Sequence, residues 1–250
     1  MAKIRREPVD TWVTLRDRGA LFVVNHSGGK DSQATYLTVR NLIPDEQLIV
    51  VHAILHEVDW EGIPEHIENT VEHPVFYVAA RKTFFDITDR LGRFPSASLR
   101  RCTSDLKREP IDTFIRRYLV EHPEYDNHVV QAIGLRKEES SSRAKMTPWT
   151  FYKRGAKNAR VWYHWLPVHN MLEQDVFRTI QKAGQTPHWA YAAGMTRLSC
   201  CFCIMGSTRD LKTAARLKPD LYRKYRAYEE KYKFTLSGRR IYLDEIVQGG

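Results

Sequence analysis

No apolar run in the 250 residues approaches the ~20 that a membrane-spanning helix needs. The opening segment, residues 1–18, is basic and interrupted by Pro8, unlike the apolar stretch of a secretory leader. Internal repeats and low-complexity tracts are also missing, which excludes a repeat array. Acidic residues are in deficit: 30 Asp and Glu against 39 Lys and Arg leave a net charge of +9, a bias towards anionic partners such as nucleotides or nucleic acid. Cysteine is scarce, at four residues, and unevenly placed, with Cys200, Cys201 and Cys203 together and Cys102 apart. In a reducing compartment such clustering points to a metal or redox site rather than disulfides, with buried free thiols as the plainer alternative. The expectation is a soluble, cytoplasmic protein that does not contact membrane.

The length suffices for one α/β domain with a well-buried core and an appendage. Strand-like runs at residues 21–25, 47–53, 75–78 and 128–133 alternate with helical patterns at 32–41, 64–73, 83–91 and 110–118. That order predicts a doubly wound, mostly parallel sheet with helices on both faces and ligands at the carboxyl ends of its strands. The texture divides the chain into an α/β nucleotide-binding domain, residues 1–203, ending in the cysteine cluster, and a basic helical C-terminal extension, residues 204–250. Residues 136–160, rich in Ser, Arg and Lys, read as a long loop, either over the active face or simply on the surface. A helix is predicted at 174–183, and residues 210–233 read as basic, tyrosine-bearing helix broken near Pro219. The latter is either a polyanion contact or a solvated amphipathic face.

The strongest signal follows the first strand: Ser27-Gly28-Gly29-Lys30-Asp31-Ser32. A Walker-type loop needs glycine where Val24 stands and Ser or Thr where Asp31 stands, so this is a different turn. Gly28 and Gly29 let backbone N–H groups approach phosphate oxygens, Ser27 and Ser32 offer hydroxyls, and the helix starting near Asp31 adds its positive end. Lys30 can neutralise phosphate charge, and Asp31 can help hold Mg²⁺. The stretch resembles the PP-loop of the adenine-nucleotide α-hydrolase superfamily, which implies a Rossmann-like fold and cleavage of ATP between its α and β phosphates.

Three further segments resemble one branch of that superfamily, the phosphoadenosine phosphosulfate (PAPS) reductase family, in its compact phage and mobile-element form. "VVHAILHEVDWEGIPEHI" is similar to the second strand and the turn after it, "RRCTSDLKREPI" to the cysteine segment with Lys107 and Pro110, and "GLRKEESSSR" to a segment carrying Gly134, Arg136, Glu139, Ser140 and Arg143. The resemblance spans about residues 21–203 and implies that Gly134 and Lys107 join the nucleotide site. Arg136 and Arg143 can clamp an anion as bidentate forks. Two positions depart from the pattern. Ile54 replaces a family aspartate, with His52, Glu57 or Asp59 as substitutes, and Thr103 follows Cys102 where iron–sulfur members carry a second cysteine.

Cys102, Cys200 and Cys203, with Cys201 as an adjacent spare, suit a [4Fe-4S] cluster with one open iron, or Zn²⁺ if His188 completes a tetrahedron, or metal-free thiols. In the preceding stretch Pro187, Gly194 and Arg197 look positional, Arg197 can offset an anionic cluster, and Tyr191 reads as ordinary packing. The function expected is ATP-dependent adenylation of an acceptor for sulfur transfer. Chemistry of this kind acts on tRNA or DNA and draws on a sulfur-donor protein. The alternatives are an APS or PAPS reductase, although within this sequence no cysteine follows Cys203 to act as nucleophile, and a nucleotide-binding regulator without catalysis.

Overall fold

A computed structural model of the chain describes residues 10–238 and 240–249; the basic segment before residue 10 lies outside the described residues. Six strands form one sheet, β1 (Leu21–Asn25), β2 (Leu48–Ile54), β3 (Val75–Ala79), β4 (His128–Ile133), β5 (Trp149–Phe151) and β6 (Val161–Trp165), in the order β3-β2-β1-β4-β6-β5. All neighbours are parallel except the β5/β6 pair at the edge. The central strand shows why: Leu21, Phe22, Val23 and Val24 are fully buried, as a strand covered on both faces must be. Their side chains alternate between two cores, Phe22 and Val24 on one face and Leu21 and Val23 on the other.

The helices are α1 (Trp12–Asp17), α2 (Lys30–Arg40), α3 (Ile63–Glu68), α4 (Phe84–Leu91), α5 (Arg101–Thr103), α6 (Glu109–Glu121), α7 (Ser141–Ala144), α8 (Glu173–Lys182), α9 (Thr208–Leu217), α10 (Pro219–Tyr232) and α11 (Leu243–Gln248). A π-helical turn, Ser104–Arg108, joins α5 to α6. On one face α6 supplies Ile111, Ile115 and Leu119; on the other, α2, α4 and α8 share a cluster with Leu211, Ala214, Tyr225 and Leu243 from α9 to α11. The helices after Cys203 therefore pack on the same core as the sheet. Phe202 and Phe84 lie against the Tyr225 ring, at 5.0 and 5.5 Å between centroids. Among the described residues no helix is long and apolar enough to cross a membrane.

Two local expectations change. The helix predicted at 64–73 stops at Glu68, where the Thr70 hydroxyl bonds back to the His66 carbonyl, and Pro74 disfavours helical geometry at the residue before it. Residues 136–160 are not a long loop. They hold a 3₁₀ turn (Lys137–Glu139), α7 and β5, and they lead into β6, which inserts beside β4. Trp162 anchors that insertion: it is fully buried, donates to Gln131 Oε1 (3.2 Å), and leaves no space for a side chain at Gly155. The strand order reverses between β1 and β4, so the loops leaving their carboxyl ends diverge around a crevice.

Two histidines, buried His26 and half-buried His164, are held neutral. Burial, with His66 and His52 nearby, pushes His26 down to about 3, and burial beside Arg108 pushes His164 down to about 4. In the unfolded chain both titrate near 6.5. Unfolded protein therefore binds the extra protons below that value, and stability is lost as pH falls from neutrality towards the folded pKa values. Each should contribute a slope of about 1.4 kcal/mol per pH unit in that window. Urea denaturation at neutral and mildly acidic pH checks this; His164→Gln should flatten the dependence, and a pH-independent midpoint would mean the folded protein protonates them.

Candidate functional site

The chain leaves β1 and enters α2 through a turn that only glycine can make at one position. Gly28 has φ +76°, and a Cβ there would lie 2.9 Å from Ile63 of α3. The Ser32 hydroxyl accepts from Ser27 N–H (3.1 Å) and donates to the Gly29 carbonyl (2.8 Å), closing the loop, while His26 Nδ1 accepts from Gly28 N–H (3.1 Å). Gly29 caps α2 without a side chain, and among the described residues the N–H groups of Asp31 and Ser32 meet no acceptor. Unpaired first-turn donors at a helix N-terminus suit an anion.

From the other side of the crevice Gly134 leaves β4. A Cβ on it would sit 2.8 Å from the Asp31 carbonyl, so the two loops are in backbone contact. Arg136 follows, its side chain nearly buried, with Nε donating to Asp31 Oδ1 (2.5 Å), a second pairing to Glu138, and its own N–H donating to Glu139 (2.8 Å). Arg143 pairs with the same Glu139. Lys30 is as deeply buried, and its Nζ reaches Glu173 (3.1 Å), Asp31 (3.5 Å) and the Thr196 carbonyl (3.3 Å). The structure thus brings Ser27, Gly28, Gly29, Lys30, Asp31, Ser32, Gly134, Arg136 and Arg143 into one region. Lys107 it puts elsewhere, at the cysteines.

Tyr191 is more than ordinary packing. Its hydroxyl accepts from both Lys30 N–H (3.0 Å) and Leu198 N–H (3.2 Å), and burial raises its pKa. A Cβ on Gly29 would meet Leu198 at 3.4 Å, so the glycine loop abuts the segment entering Cys200. At the end of β2, Ile54 has no polar role. Of its three substitutes, Asp59 is the buried carboxylate there, 3.8 Å from His52 Nε2 and accepting from Leu55 N–H (3.2 Å); burial raises its pKa. Glu57 instead pairs with Lys224.

A small cavity of about 70 Å³ is lined by Cys102, Cys200 and Cys203 together with Lys107 and Arg197. The Cys200 thiol interaction lowers the pKa of Cys203, which also accepts from Met205 N–H (3.4 Å). Cys201 turns away: its thiol donates to the Asp59 carbonyl (3.3 Å), and burial pushes it up to about 12. His188 has both ring nitrogens engaged, with the Glu61 carbonyl (3.1 Å) and Ala190 N–H (3.3 Å). Among the described residues no three His, Cys, Asp or Glu side chains are arranged around a single metal ion. A cluster that meets each thiolate with a different iron makes no such demand. The fully buried Tyr225 hydroxyl has no partner, and burial near the cysteines raises its pKa, so the donor set of three thiols, two cations and an orphaned hydroxyl fits an anionic cluster.

Sequence reasoning missed His26, Glu173 and the Tyr225 hydroxyl. His26 adjoins the glycine motif and was within reach; nothing in the sequence marks the other two as site residues.

The family model for the phosphoadenosine phosphosulfate reductase domain matches residues 22–205. The chain is 30% identical over 128 residues to an uncharacterised 37.8 kDa protein of Escherichia phage 186, covering 51% of the chain and 36% of that protein. It is 26% identical over 219 residues to an uncharacterised protein of Methanocaldococcus jannaschii, covering 84% and 42%. It thus spans less than half the length of these relatives. Among solved structures, a phosphoadenylyl-sulfate reductase from Candida auris in a phosphate complex aligns with TM-score 0.45 and 11% identity over 72% of this chain and 80% of that one. Candida glabrata FMN adenylyltransferase with FAD and pyrophosphate aligns with TM-score 0.46 and 14% identity, over 73% and 55%.

Tyr191→Phe should destabilise the fold by about 2 kcal/mol, because two buried N–H groups lose their acceptor, and Gly134→Ala by about 1–3 kcal/mol through overpacking. Urea denaturation reads both; a Tyr191→Phe change within about 0.5 kcal/mol would return Tyr191 to plain packing.

Proposed function

Because the chain belongs to the phosphoadenosine phosphosulfate reductase domain family, we propose that it is an enzyme that binds Mg-ATP on the glycine loop, cleaves it between the α and β phosphates, and adenylates an acceptor for sulfur transfer. The observation that carries this reading is the adjacency, through Leu198 and Tyr191, of a phosphate-ready loop and a three-cysteine cavity. The free N–H groups of Asp31 and Ser32 receive phosphate oxygens. Glu173, half-exposed at 52%, is the partner of Lys30 that the phosphates displace, leaving Lys30 to offset the charge of the leaving pyrophosphate. Asp31 assists Mg²⁺, and Arg136 and Arg143 stabilise the adenylated acceptor.

In this reaction an acceptor oxygen forms a bond to the α phosphorus as the bridging P–O bond breaks and pyrophosphate departs. A sulfur nucleophile, drawn from a donor protein, then displaces AMP. Cys102, Cys200 and Cys203 would hold a [4Fe-4S] cluster, which would supply Lewis-acid iron for sulfur delivery. Lys107 and Arg197 would offset its charge. Sulfonucleotide reduction is the weaker reading: it needs a reactive thiolate outside the cavity, and Cys201 is buried with its thiol pushed up to about 12.

Calorimetric titration of anaerobically purified protein with Mg-ATP, APS and PAPS tests the first part. Selective ATP binding is expected, weakened roughly tenfold or more in Lys30→Met; tighter PAPS binding, or an unaffected variant, overturns it. Anaerobic reconstitution should incorporate about four irons per chain, lost in Cys200→Ser.

A further inference from the structure

The excess positive charge of this chain is not spread evenly. On α10 and just before it, Lys218, Lys224, Arg226 and Lys231 pair with Glu61, Glu57, Asp244 and Asp89. The basic helix therefore satisfies its charge inside the molecule and has little left for a polyanion. A different surface does. An open groove of about 620 Å³ runs over α5, the π-helical turn and the start of α6, lined by Arg100, Arg101, Arg108 and Arg154 with Asp105 and Glu109.

All four arginines are exposed. The two acids are already matched: Asp105 accepts from Ser104 and faces Arg101 at 3.8 Å, and Glu109 pairs with Arg116 (3.2 Å) and Arg154. Among the described residues Arg100 and Arg108 have no carboxylate partner. Guanidinium forks fit phosphate oxygens bidentately. The groove is open and draws its arginines from two separate chain segments, the 100–108 stretch and the β5/β6 connection, which suits an extended polyanion better than a small phosphate ester. Arg100 and Thr103 line both this groove and the cysteine cavity, so the two spaces adjoin.

We propose that this groove binds the phosphate backbone of single-stranded nucleic acid and presents a base at the cysteine cavity. A paired base would be stacked away from the cavity mouth, which is why the strand must be single. No aromatic side chain lines the groove, so binding is by phosphate contact, insensitive to sequence and sensitive to salt. Only the role of the strand as acceptor rests on the proposed function; the binding does not.

Fluorescence anisotropy with a labelled single-stranded DNA of about 20 nucleotides, and RNA of the same sequence, tests this across salt concentrations. The double variant Arg100→Ala/Arg108→Ala, the two exposed arginines of the groove without a carboxylate partner, should bind at least one of the two about tenfold more weakly. Its slope of log affinity against log salt should be shallower by about 1.4, about 0.7 for each lost phosphate contact. Lys224→Ala/Lys231→Ala on α10 should match the unmodified chain. No binding of either strand, or equal loss in both double variants, overturns the groove. Mg-ATP titration of the unmodified chain is read separately, so failure of the nucleotide reading and failure of the groove are told apart.

Discussion

Gly134 allows the chain leaving β4 to lie directly against the first turn of α2, with no space for a methyl group between them. Everything chemical in the crevice depends on that approach. It brings Arg136 within reach of Asp31, and through Glu138 and Glu139 it ties Arg143 and the start of α8 to the same point. A larger residue at 134 would separate the loops, and the ion pairs would be left as buried charges without partners, which is the costly arrangement.

The cations at this crossing are compensated by carboxylates before any ligand arrives. Lys30 and Arg136 are both almost fully buried, and Asp31, Glu138 and Glu173 supply the compensating charge there. Binding of an anion is then an exchange of partners, not the filling of a bare positive hole.

Much of this was legible in the sequence, and the limits are instructive. Strands β1 to β4 are mostly apolar runs flanked by turn residues, and the glycine motif fixes where a helix must begin. Strand β6 escaped because Val161–Trp165 follows a polar, basic stretch and is dominated by aromatics. Strand β5 has three residues, too few to show a period. In the site, motif order points to candidate residues and not to what each touches. Lys107 shares its motif with Pro110 yet faces the cysteines, because the π-helical turn at Ser104–Arg108 sets its direction. Tyr191 looked like packing because a phenol that accepts from two remote N–H groups leaves no local trace.

The stretch holding Cys200, Cys201 and Cys203 has no regular secondary structure of its own. Its shape is imposed by Phe202 resting on Tyr225, and Tyr225 belongs to a helix that follows it in the chain. Whatever engages the thiols in this arrangement must therefore favour the docked state of α10 by the same free energy with which docking favours engagement. Loading of the cysteines and closure of the C-terminal helices onto the core are two descriptions of a single equilibrium, and protection of α10 amides from hydrogen exchange is a gauge of occupancy at a site those amides never touch.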